Sequence, residues 1–597
     1  MLFVFHYSLF TFNSINNRAK MKPTPNFFLF FFIFLSSQSI LAQQVGSPSG
    51  AEVYPISKST ISDQAMVVSP HPISSQVGLD ILKQGGNAID AAIAIQFAIA
   101  VVYPRAGNIG GGGLMVLRTK DGKFEALDYR EKAPAKAGRD MYLDAQGNVV
   151  PRLSIEGHLA AGVPGTVAGM IAAHKKHGKL PFKVLIQPAI DLAKEGYKIT
   201  QGEVDRLNGN QAAFKKYNAE DNALVKADPW KLGDVLVQPN LAATLERIQK
   251  KGKAGFYKGQ TADYIVAEMG KGNGLISLQD LKNYDARWRQ PVEAIYKNYH
   301  IVSMPPPSSG GIIILQLMKI MERFPLAEWG FQSLNTVHLM AEAERRVYAD
   351  RAQYMGDPDF FQVPQDSLLN DKYLRQRMSN YNPTQATPSK DILAGDFRSI
   401  SKESFETEHT SVVDAKGNAV AVTTTLNSNF GNKVMVHGAG FLLNNEMDDF
   451  SAKAGVPNQF GLVGSEANSI QPNKRMLSAM SPTIVEKDGQ LFLVLGAPGG
   501  STIITAVFQV MMNVIEFGMP LDEAIKAGRF HNQWLPDEIW VEKAALTPEL
   551  RKELELLGHK LREVNYMAVV KAIMRLPNGK LHGAGDPRNP DDDAKGY

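Results

Sequence analysis

Hydrophobic and polar positions between residues 407 and 425 fall into two short runs rich in valine and threonine. The runs cover residues 411–414 and 419–425, and residues 415–418 between them have the composition of a turn. β-Branched residues in two runs joined by a short turn are typical of a β-hairpin. We therefore predict a hairpin whose first strand begins near Thr407, behind a polar segment that has no helix or strand pattern of its own.

The rest of the chain alternates helical periodicity with short strand patterns. Helices are predicted over residues 74–102 with a break at 85–87, and over 162–176, 184–194, 239–250, 310–321, 336–354 and 503–517. Further strands are predicted over residues 114–118, 124–129, 480–485 and 491–495. Antiparallel hairpins interleaved with apolar helices favour layered sheets with helices outside, and not the βαβ order of a dinucleotide-binding fold.

The N-terminal segment has the pattern of an export signal. An apolar run at residues 27–35 follows three basic residues and precedes small residues, with the most favourable cleavage position after Ala42. The run is too short for a stable membrane-spanning helix, although an uncleaved anchor is the alternative interpretation. Met21 gives a more conventional signal peptide than Met1. We expect residues 1–42 to be removed and the mature protein to be exported, either to the periplasm or by secretion.

Composition excludes several classes of function. The 597 residues are 44% hydrophobic and 21% charged, which is typical of globular proteins. The formal net charge of +4 falls to +1 without residues 1–42, which carry three basic residues and no acid. A nearly neutral protein has no electrostatic reason to bind nucleic acid or anionic lipid. The chain has no cysteine, which excludes cysteine catalysis, disulfides and cysteine-ligated metal sites.

Nine short motifs, taken together and in order, carry a resemblance that covers residues 67–597. They are QGGNAIDAAIA, GGGGLMVL, DYREKAP, MPPPSSGG, MAEAERRVYADR, TEHTSVVD, LLNNEMDDF, SPTIV and GAPGGS. The chain resembles the γ-glutamyltranspeptidases, which are N-terminal-nucleophile hydrolases. The resemblance implies an α/β (α+β) fold, a four-layer αββα sandwich. It also implies self-cleavage between Glu406 and Thr407, into a large subunit (43–406) and a small subunit (407–597) that form a heterodimer.

The resemblance assigns Thr407 as the catalytic nucleophile. A threonine hydroxyl is nearly unreactive unless a base removes its proton. Cleavage before Thr407 would supply that base, because an α-amine has a pKa of about 7.7–8.0. Thr425 matches the threonine that hydrogen-bonds the nucleophile in the family. His409 is a rival base, but residues two apart on a strand are roughly 7 Å apart, which favours a structural role.

Other matched residues are expected to bind the transition state and the substrate. Gly499 and Gly500 match the oxyanion hole, where two backbone N–H groups can face a developing negative charge. Substrate binding is assigned by the resemblance to two sets of side chains. Arg130 and Ser478 match the residues for the substrate α-carboxylate, and Asn427, Glu446 and Asp449 match those for its α-ammonium.

Two residues depart from the family pattern. Ala479 replaces a second serine after Ser478, so one hydrogen bond to the carboxylate is expected to be missing. Phe460 stands where bacterial relatives often carry a tyrosine that closes a lid over the site. A looser lid would admit water to the acyl-enzyme, and we therefore expect the reaction to be tilted towards hydrolysis.

The predicted function is a self-processing γ-glutamyltranspeptidase and glutathione hydrolase that needs no metal or organic cofactor. Expected partners are glutathione, other γ-glutamyl compounds, and amino acid or dipeptide acceptors. Neither nucleic acid nor, after signal removal, a membrane is expected. One alternative is a related acylase for glutaryl substrates such as cephalosporin side chains, against which Glu446 and Asp449 argue. Another is a binding protein that has lost processing, against which Thr407, Thr425, Gly499 and Gly500 argue.

Overall fold

The predicted hairpin lies at the centre of a seven-stranded antiparallel sheet. In the computed structural model, which describes residues 53–218, 222–394, 407–456, 458–459 and 462–597, the strands Glu408–Val413 and Ala419–Thr425 pair in register. The turn between them is closed by a 3.0 Å hydrogen bond from the Asp414 N–H to the Asn418 carbonyl, with Gly417 at a φ of 82°. The hairpin prediction is confirmed.

Two large antiparallel sheets form the centre of the molecule. The hairpin sheet contains, in spatial order, Asp593–Gly596, Met66–Ser69, Glu408–Val413, Ala419–Thr425, Gly112–Arg118, Phe124–Asp128 and Arg287–Arg289. The opposing sheet contains Ser59–Ser62, Leu581–Ala584, Lys571–Arg575, Gln490–Gly496, Thr483–Lys487, Tyr299–Ser303 and Val292–Tyr296. Two small sheets are formed by Phe530–His531, Ile539–Glu542 and Leu561–Val564, and by Tyr197–Lys198 and Val235–Leu236.

Alternation along the hairpin strands explains why the two sheets stack. Successive side chains of a strand point to opposite faces. Val413, Ala419 and Ala421 belong to the core that also contains the opposing sheet, whereas Val412 and Val420 belong to a second core that contains helices. Odd-numbered hairpin residues therefore face the opposing sheet, and even-numbered residues face a helical layer.

Helices cover the outer face of each sheet. The core outside the hairpin sheet includes the helices Pro72–Lys83, Ala88–Val102, Thr166–His177, Phe182–Glu195, Gln201–Gly209, Gln211–Tyr217, Pro239–Lys251, Ala254–Tyr257, Gln260–Lys271 and Leu278–Asn283. The core that contains the opposing sheet includes Gly310–Met321, Leu326–Trp329, Leu334–Tyr354, Gln365–Leu368, Asp371–Arg377, Thr502–Ile515, Leu521–Lys526 and Pro548–Leu556. The order helix, sheet, sheet, helix confirms the predicted αββα sandwich.

The long helix Leu334–Tyr354 is more deeply buried than its sequence pattern indicates. Its many charges suggest a solvated face, but several of them are buried, and Arg346 pairs with Glu342 at 2.7 Å inside the protein.

In the part of the chain that the structure describes, no helix combines the length and apolarity needed to cross a bilayer. The predicted signal peptide, residues 1–42, lies outside the described residues.

Candidate active site

Thr407 lies immediately before the strand Glu408–Val413, at the entrance to the hairpin. The register pairs Glu408 with Thr424, so one further step along both strands places Thr407 opposite Thr425. Both residues are odd-numbered and therefore lie on the face towards the opposing sheet. Thr407 is 6% exposed, and it lines the same cleft as Thr425. The structure thus brings the two predicted threonines together.

Thr425 organises the turn that follows the hairpin. Its hydroxyl oxygen accepts a 2.7 Å hydrogen bond from the backbone N–H of Asn427. Asn427 has a φ of 72°, a left-handed conformation that asparagine tolerates better than most residues. Its side-chain amide donates to the Asn445 carbonyl at 3.1 Å. The turn thereby places Asn427 on the wall of the cleft.

His409 has the structural role that its spacing from Thr407 predicts. Its Nδ1 lies 2.9 Å from the Thr423 hydroxyl, and its Nε2 lies 3.1 Å from the Ser411 hydroxyl. Burial, assisted by the charge of Lys571, holds the pKa of His409 well below its ordinary value, so the ring is neutral. Because both ring nitrogens are occupied by other hydroxyls, His409 supports the strand.

A narrow cleft that is open to solvent extends from Thr407. It brings together residues that are far apart in the sequence. The predicted site residues that line it are Arg130, Thr407, Thr425, Asn427, Glu446, Asp449, Ser478 and Gly500. Gly499, the remaining predicted residue with a described position, lines a second pocket that also contains Thr407. The cleft is therefore the candidate active site.

Arg130 is the buried cation of the cleft and follows the strand Phe124–Asp128. Its Nη1 lies 2.6 Å from a Glu446 carboxylate oxygen, and its Nη2 forms an ion pair and hydrogen bond with Asp449. A third carboxylate, that of Glu131, lies 3.7 Å from Nη1. Nη2 also donates to the Leu477 carbonyl at 3.1 Å. Sequence positions more than 300 residues apart thus form one charged cluster.

The cluster contains more acid than base. Burial raises the pKa of Glu446 well above its ordinary value and raises the pKa of Asp449, although the Arg130 charge opposes both shifts. Burial likewise raises the pKa of Glu131 to about 8. Arg351 is a second nearby cation, and its charge also opposes the rise in the pKa of Asp449. Glu446 and Asp449 line the cleft beside Arg130, so their carboxyl oxygens are placed to accept hydrogen bonds from a ligand ammonium.

Ser478 and Ala479 form another part of the wall. The Ser478 carbonyl accepts 2.8 Å hydrogen bonds from the Ser309 N–H and hydroxyl, which fixes the backbone. The Ser478 hydroxyl oxygen accepts from the Met480 N–H at 3.1 Å, which leaves the hydroxyl proton for donation to another acceptor. Ala479 offers only a methyl group to the cleft, as its sequence position predicts.

Gly499 and Gly500 link the strand Gln490–Gly496 to the helix Thr502–Ile515. Their φ angles are 137° and 57°, which side-chain-bearing residues rarely adopt. A Cβ atom on Gly499 would lie 2.6 Å from the Ala568 Cα. Among the described residues, neither backbone N–H donates to a protein acceptor. Both N–H groups, near a helix N-terminus, are thus suited to stabilise an oxyanion.

Three further residues contact the site but were not singled out in the sequence. Arg351, on the helix Leu334–Tyr354, lines the cleft and donates to the Ser309 hydroxyl at 2.8 Å. Asn458 donates to an Asp449 carboxylate oxygen at 3.3 Å, and Asn468 donates to the Asp449 carbonyl at 2.7 Å. The MAEAERRVYADR motif contains Arg351, but only the fold shows that this arginine faces the cleft.

Two of the sequence expectations concern residues that the structure does not describe. Glu406, the residue before the expected cut, and Phe460, the departure in the expected lid, both lie outside the described residues. The described part of the lid loop does border the cleft, through Asn458, Leu462 and Val463.

Comparisons with known proteins agree with this geometry. The γ-glutamyltranspeptidase family model matches residues 74–596. The glutathione hydrolase proenzyme of Escherichia coli (strain K12) is 49% identical over 536 residues, covering 89% of this chain and 92% of the relative. A crystal structure of Helicobacter pylori γ-glutamyltranspeptidase is 47% identical with a TM-score of 0.54, covering 56% of this chain and 96% of that one. A crystal structure of cephalosporin acylase from Bacillus halodurans is 26% identical with a TM-score of 0.78, covering 92% and 98%.

Proposed function

Because the chain belongs to the γ-glutamyltranspeptidase family, we propose that it is a self-processing γ-glutamyltransferase and glutathione hydrolase with Thr407 as its nucleophile. The observation that carries this proposal is the position of Thr407 on the cleft that holds Arg130, Glu446 and Asp449. A nucleophile next to a buried cluster of both charges is suited to an acyl group that ends in an amino acid zwitterion.

Processing is the first step of the proposal. Cleavage between Glu406 and Thr407 divides the chain into a large subunit (43–406) and a small subunit (407–597). The subunits are expected to remain associated, because strands from both sides of the cut alternate in the hairpin sheet. For example, Ala419–Thr425 pairs with Gly112–Arg118 through seven residues. Cleavage also gives Thr407 the α-amine that activates its hydroxyl.

Substrate binding would replace the ion pairs within the cleft by ion pairs to the substrate. In the described structure Arg130 pairs with Asp449 and Glu446. A γ-glutamyl zwitterion can place its α-carboxylate against Arg130 and the Ser478 hydroxyl, and its α-ammonium against Asp449, Glu446 and the Asn427 side-chain oxygen. The exchange keeps each buried charge paired, which a singly charged acyl group cannot do.

The chemical step forms and breaks one bond at the acyl carbon. The Thr407 hydroxyl oxygen bonds to the γ-carbonyl carbon while its proton passes to the α-amine of Thr407. The negative charge on the carbonyl oxygen is stabilised by the N–H groups of Gly499 and Gly500. The C–N bond then breaks and the leaving amine takes the proton, which leaves a glutamyl ester on Thr407. Water or an acceptor amine attacks the ester, loses its proton to the α-amine, and returns the hydroxyl of Thr407.

The location of the enzyme and its acceptors are proposed from the sequence. The signal-like pattern of residues 1–42 supports export, to the periplasm or the medium. Glutathione is the proposed donor, and amino acids or dipeptides are the proposed acceptors. Ala479 and Phe460 support a balance tilted towards hydrolysis.

A glutaryl-type acylase is the second candidate, because a cephalosporin acylase shares the fold. A glutaryl group lacks the α-ammonium, so it would displace the Arg130 contacts of Asp449 and Glu446 without supplying a cation in their place. Hydrolysis of γ-glutamyl and glutaryl anilides, which differ only in that ammonium, separates the candidates. We expect the wild-type enzyme to prefer the γ-glutamyl anilide by at least about ten-fold in kcat/KM, the effect of one charge-assisted contact. Equal or reversed preference would support the acylase.

A further inference from the structure

The two glycines of the proposed oxyanion hole offer N–H groups from two successive peptide planes. The Gly499 N–H shares its plane with the Pro498 carbonyl, and the Gly500 N–H shares its plane with the Gly499 carbonyl. In a planar trans peptide the C=O and N–H bonds point in nearly opposite directions. A donor that binds one of these carbonyls therefore fixes the direction of the N–H group in the same plane.

The backbone of a neighbouring strand holds the first plane. The Pro498 carbonyl accepts a 3.1 Å hydrogen bond from the Val569 N–H. Val569 lies two residues before the strand Lys571–Arg575, which pairs with the strand Gln490–Gly496 that leads into the glycine loop (residues 497–501). The direction of the Gly499 N–H is therefore set by the sheet and does not depend on a side chain.

The second plane, between Gly499 and Gly500, has less support from the backbone. Neither glycine has a Cβ atom, so a peptide plane between them meets little steric resistance when it rotates. No backbone N–H among the described residues donates to the Gly499 carbonyl. If the Gly500 N–H is to face an oxyanion at Thr407, this plane must not rotate, because rotation would put the Gly499 carbonyl oxygen in the place of the donor.

The Thr502 side chain supplies the missing restraint. Its hydroxyl donates a 2.8 Å hydrogen bond to the Gly499 carbonyl. Thr502 is the first residue of the helix Thr502–Ile515 and is fully buried, so the bond is shielded from solvent. The branched Cβ of threonine also restricts its side chain to few rotamers. The hydroxyl is therefore a fixed donor on the peptide plane that carries the Gly500 N–H.

The start of this helix is itself held by two other elements. The Ser501 carbonyl accepts a 2.6 Å hydrogen bond from the Tyr348 hydroxyl, and the Ser501 hydroxyl donates to the Gln533 side-chain oxygen at 2.8 Å. Tyr348 belongs to the long helix Leu334–Tyr354, and Gln533 follows the short strand Phe530–His531. The next residue along the chain therefore restrains the glycine loop from a rigid support.

We propose that Thr502 is a positioning residue for the oxyanion hole, and that its hydroxyl holds the plane between Gly499 and Gly500 in the orientation that presents the Gly500 N–H to the reacting carbonyl oxygen. The inference rests on the proposed function, because the oxyanion forms only in that reaction. Thr502 lines neither the cleft nor the second pocket beside Thr407. Its effect should therefore appear in the tetrahedral states and not in ground-state binding.

Thr502→Val tests the proposal, because it replaces the hydroxyl by a methyl group of similar shape. For γ-glutamyl-4-nitroanilide we expect kcat to fall by about ten-fold, less than the roughly 100- to 1,000-fold that loss of a whole oxyanion donor costs. KM should stay nearly the same, because acylation and deacylation both pass through an oxyanion. Thr502→Ser retains the hydroxyl and should recover most of the rate.

Thr244→Val is the matched control. Thr244 is also a fully buried helix residue, and its hydroxyl donates to the Ala439 carbonyl at 2.7 Å. It lines neither the cleft nor the second pocket, so the control should leave kcat and KM unchanged.

Two inhibitors separate an effect on the oxyanion from an effect on the whole site. A glutamate analogue with a boronic acid in place of the γ-carboxyl group can form a tetrahedral adduct with the Thr407 hydroxyl. 2-Aminobutanoate is the same molecule without the boron group and can bind only through its α-groups. We expect Thr502→Val to raise the inhibition constant of the boronic acid by about ten-fold and to leave that of 2-aminobutanoate unchanged.

An unchanged kcat in Thr502→Val, an equal loss of affinity for both inhibitors, or no recovery in Thr502→Ser would overturn the inference while the proposed function stands. If Thr502→Val gives no folded, processed enzyme, Thr502→Ala removes the same hydroxyl with less bulk and takes its place. Failure of both to fold, with Thr502→Ser folded, would show that the hydroxyl serves the fold and would also overturn the inference. If wild type does not cleave the γ-glutamyl anilide, the proposed function fails and the inference fails with it.

Discussion

Nη1 of Arg130 lies 2.6 Å from a carboxylate oxygen of Glu446, and neither side chain is more than 1% exposed. Such a pair gains little net stability over an apolar core, because both groups lose their hydration. Removing one partner is costly, because the other charge remains buried. The pair is therefore better explained by recognition of a charged ligand than by stability of the fold.

This relationship predicts a stability defect in Glu446→Gln. We expect its free energy of unfolding to fall by roughly 3 kcal/mol, because Arg130 loses a buried counter-ion. The matched control is Glu156→Gln, which breaks the ion pair with Arg152, a residue whose side chain is 64% exposed. The control should change stability by less than about 1 kcal/mol. Urea denaturation of the three proteins checks this, and equal stability of Glu446→Gln and wild type would contradict it.

Asp449→Asn tests the proposed ammonium site. The variant should raise KM for γ-glutamyl donors by roughly 10- to 100-fold, because a charge-assisted contact contributes about 1.5–3 kcal/mol. Processing should survive, since no substrate is bound in that step. Glutaryl anilide lacks the ammonium and should show no comparable loss. If kcat/KM for the γ-glutamyl anilide is unchanged, the ammonium is bound by other residues.

Glu131 predicts how stability depends on pH. Its folded-state pKa is raised by burial to about 8, compared with 4.5 for an unperturbed glutamate. The proton on the buried carboxyl therefore stabilises the fold below the lower value, and this contribution is lost as pH rises towards the higher one. Relative to Glu131→Gln, wild type should lose a few kcal/mol of unfolding free energy between about pH 5 and pH 8. A difference that stays constant with pH would show that Glu131 is ionised throughout.

Ala479→Ser should restore a donor to the carboxylate end of the cleft. We expect KM for γ-glutamyl anilide to fall by about 2- to 10-fold, the effect of one neutral hydrogen bond. The corresponding 4-aminobutanoyl anilide lacks the α-carboxylate and serves as the control substrate. A decrease of KM for both anilides would mean that the new hydroxyl acts through something other than the carboxylate.

The sequence pattern predicted the helices and strands better than it predicted the contacts between them. The hairpin Glu408–Val413 and Ala419–Thr425 was correctly predicted, because two valine- and threonine-rich runs next to a turn specify it locally. The helix predicted from residue 162 begins at Thr166, because Pro164 and Gly165 precede it. Element boundaries near proline and glycine depend on tertiary contacts that the pattern alone does not contain.

The site was predicted only where a family resemblance supplied the residues. Nothing in their spacing joins Arg130 to Asp449, since the chain between them contains many helices and several strands of both large sheets. Arg351 was missed, because charges on a long helix usually indicate a solvated face and most residues of this helix are instead buried. The second pocket beside Thr407 was missed because its residues lie far apart in the sequence and meet only in the folded chain.

We propose that Thr407 is both the processing nucleophile and the catalyst. N-terminal sequencing of the purified small subunit, with glutathione hydrolysis measured on the same samples, tests it most directly. For wild type we expect a small subunit that begins at Thr407 and an active enzyme. Thr407→Ala should purify as one uncut, inactive chain, and Thr407→Ser should be cut, more slowly. Recovery of two normal subunits from Thr407→Ala, or a small subunit that begins at another residue, would contradict the account.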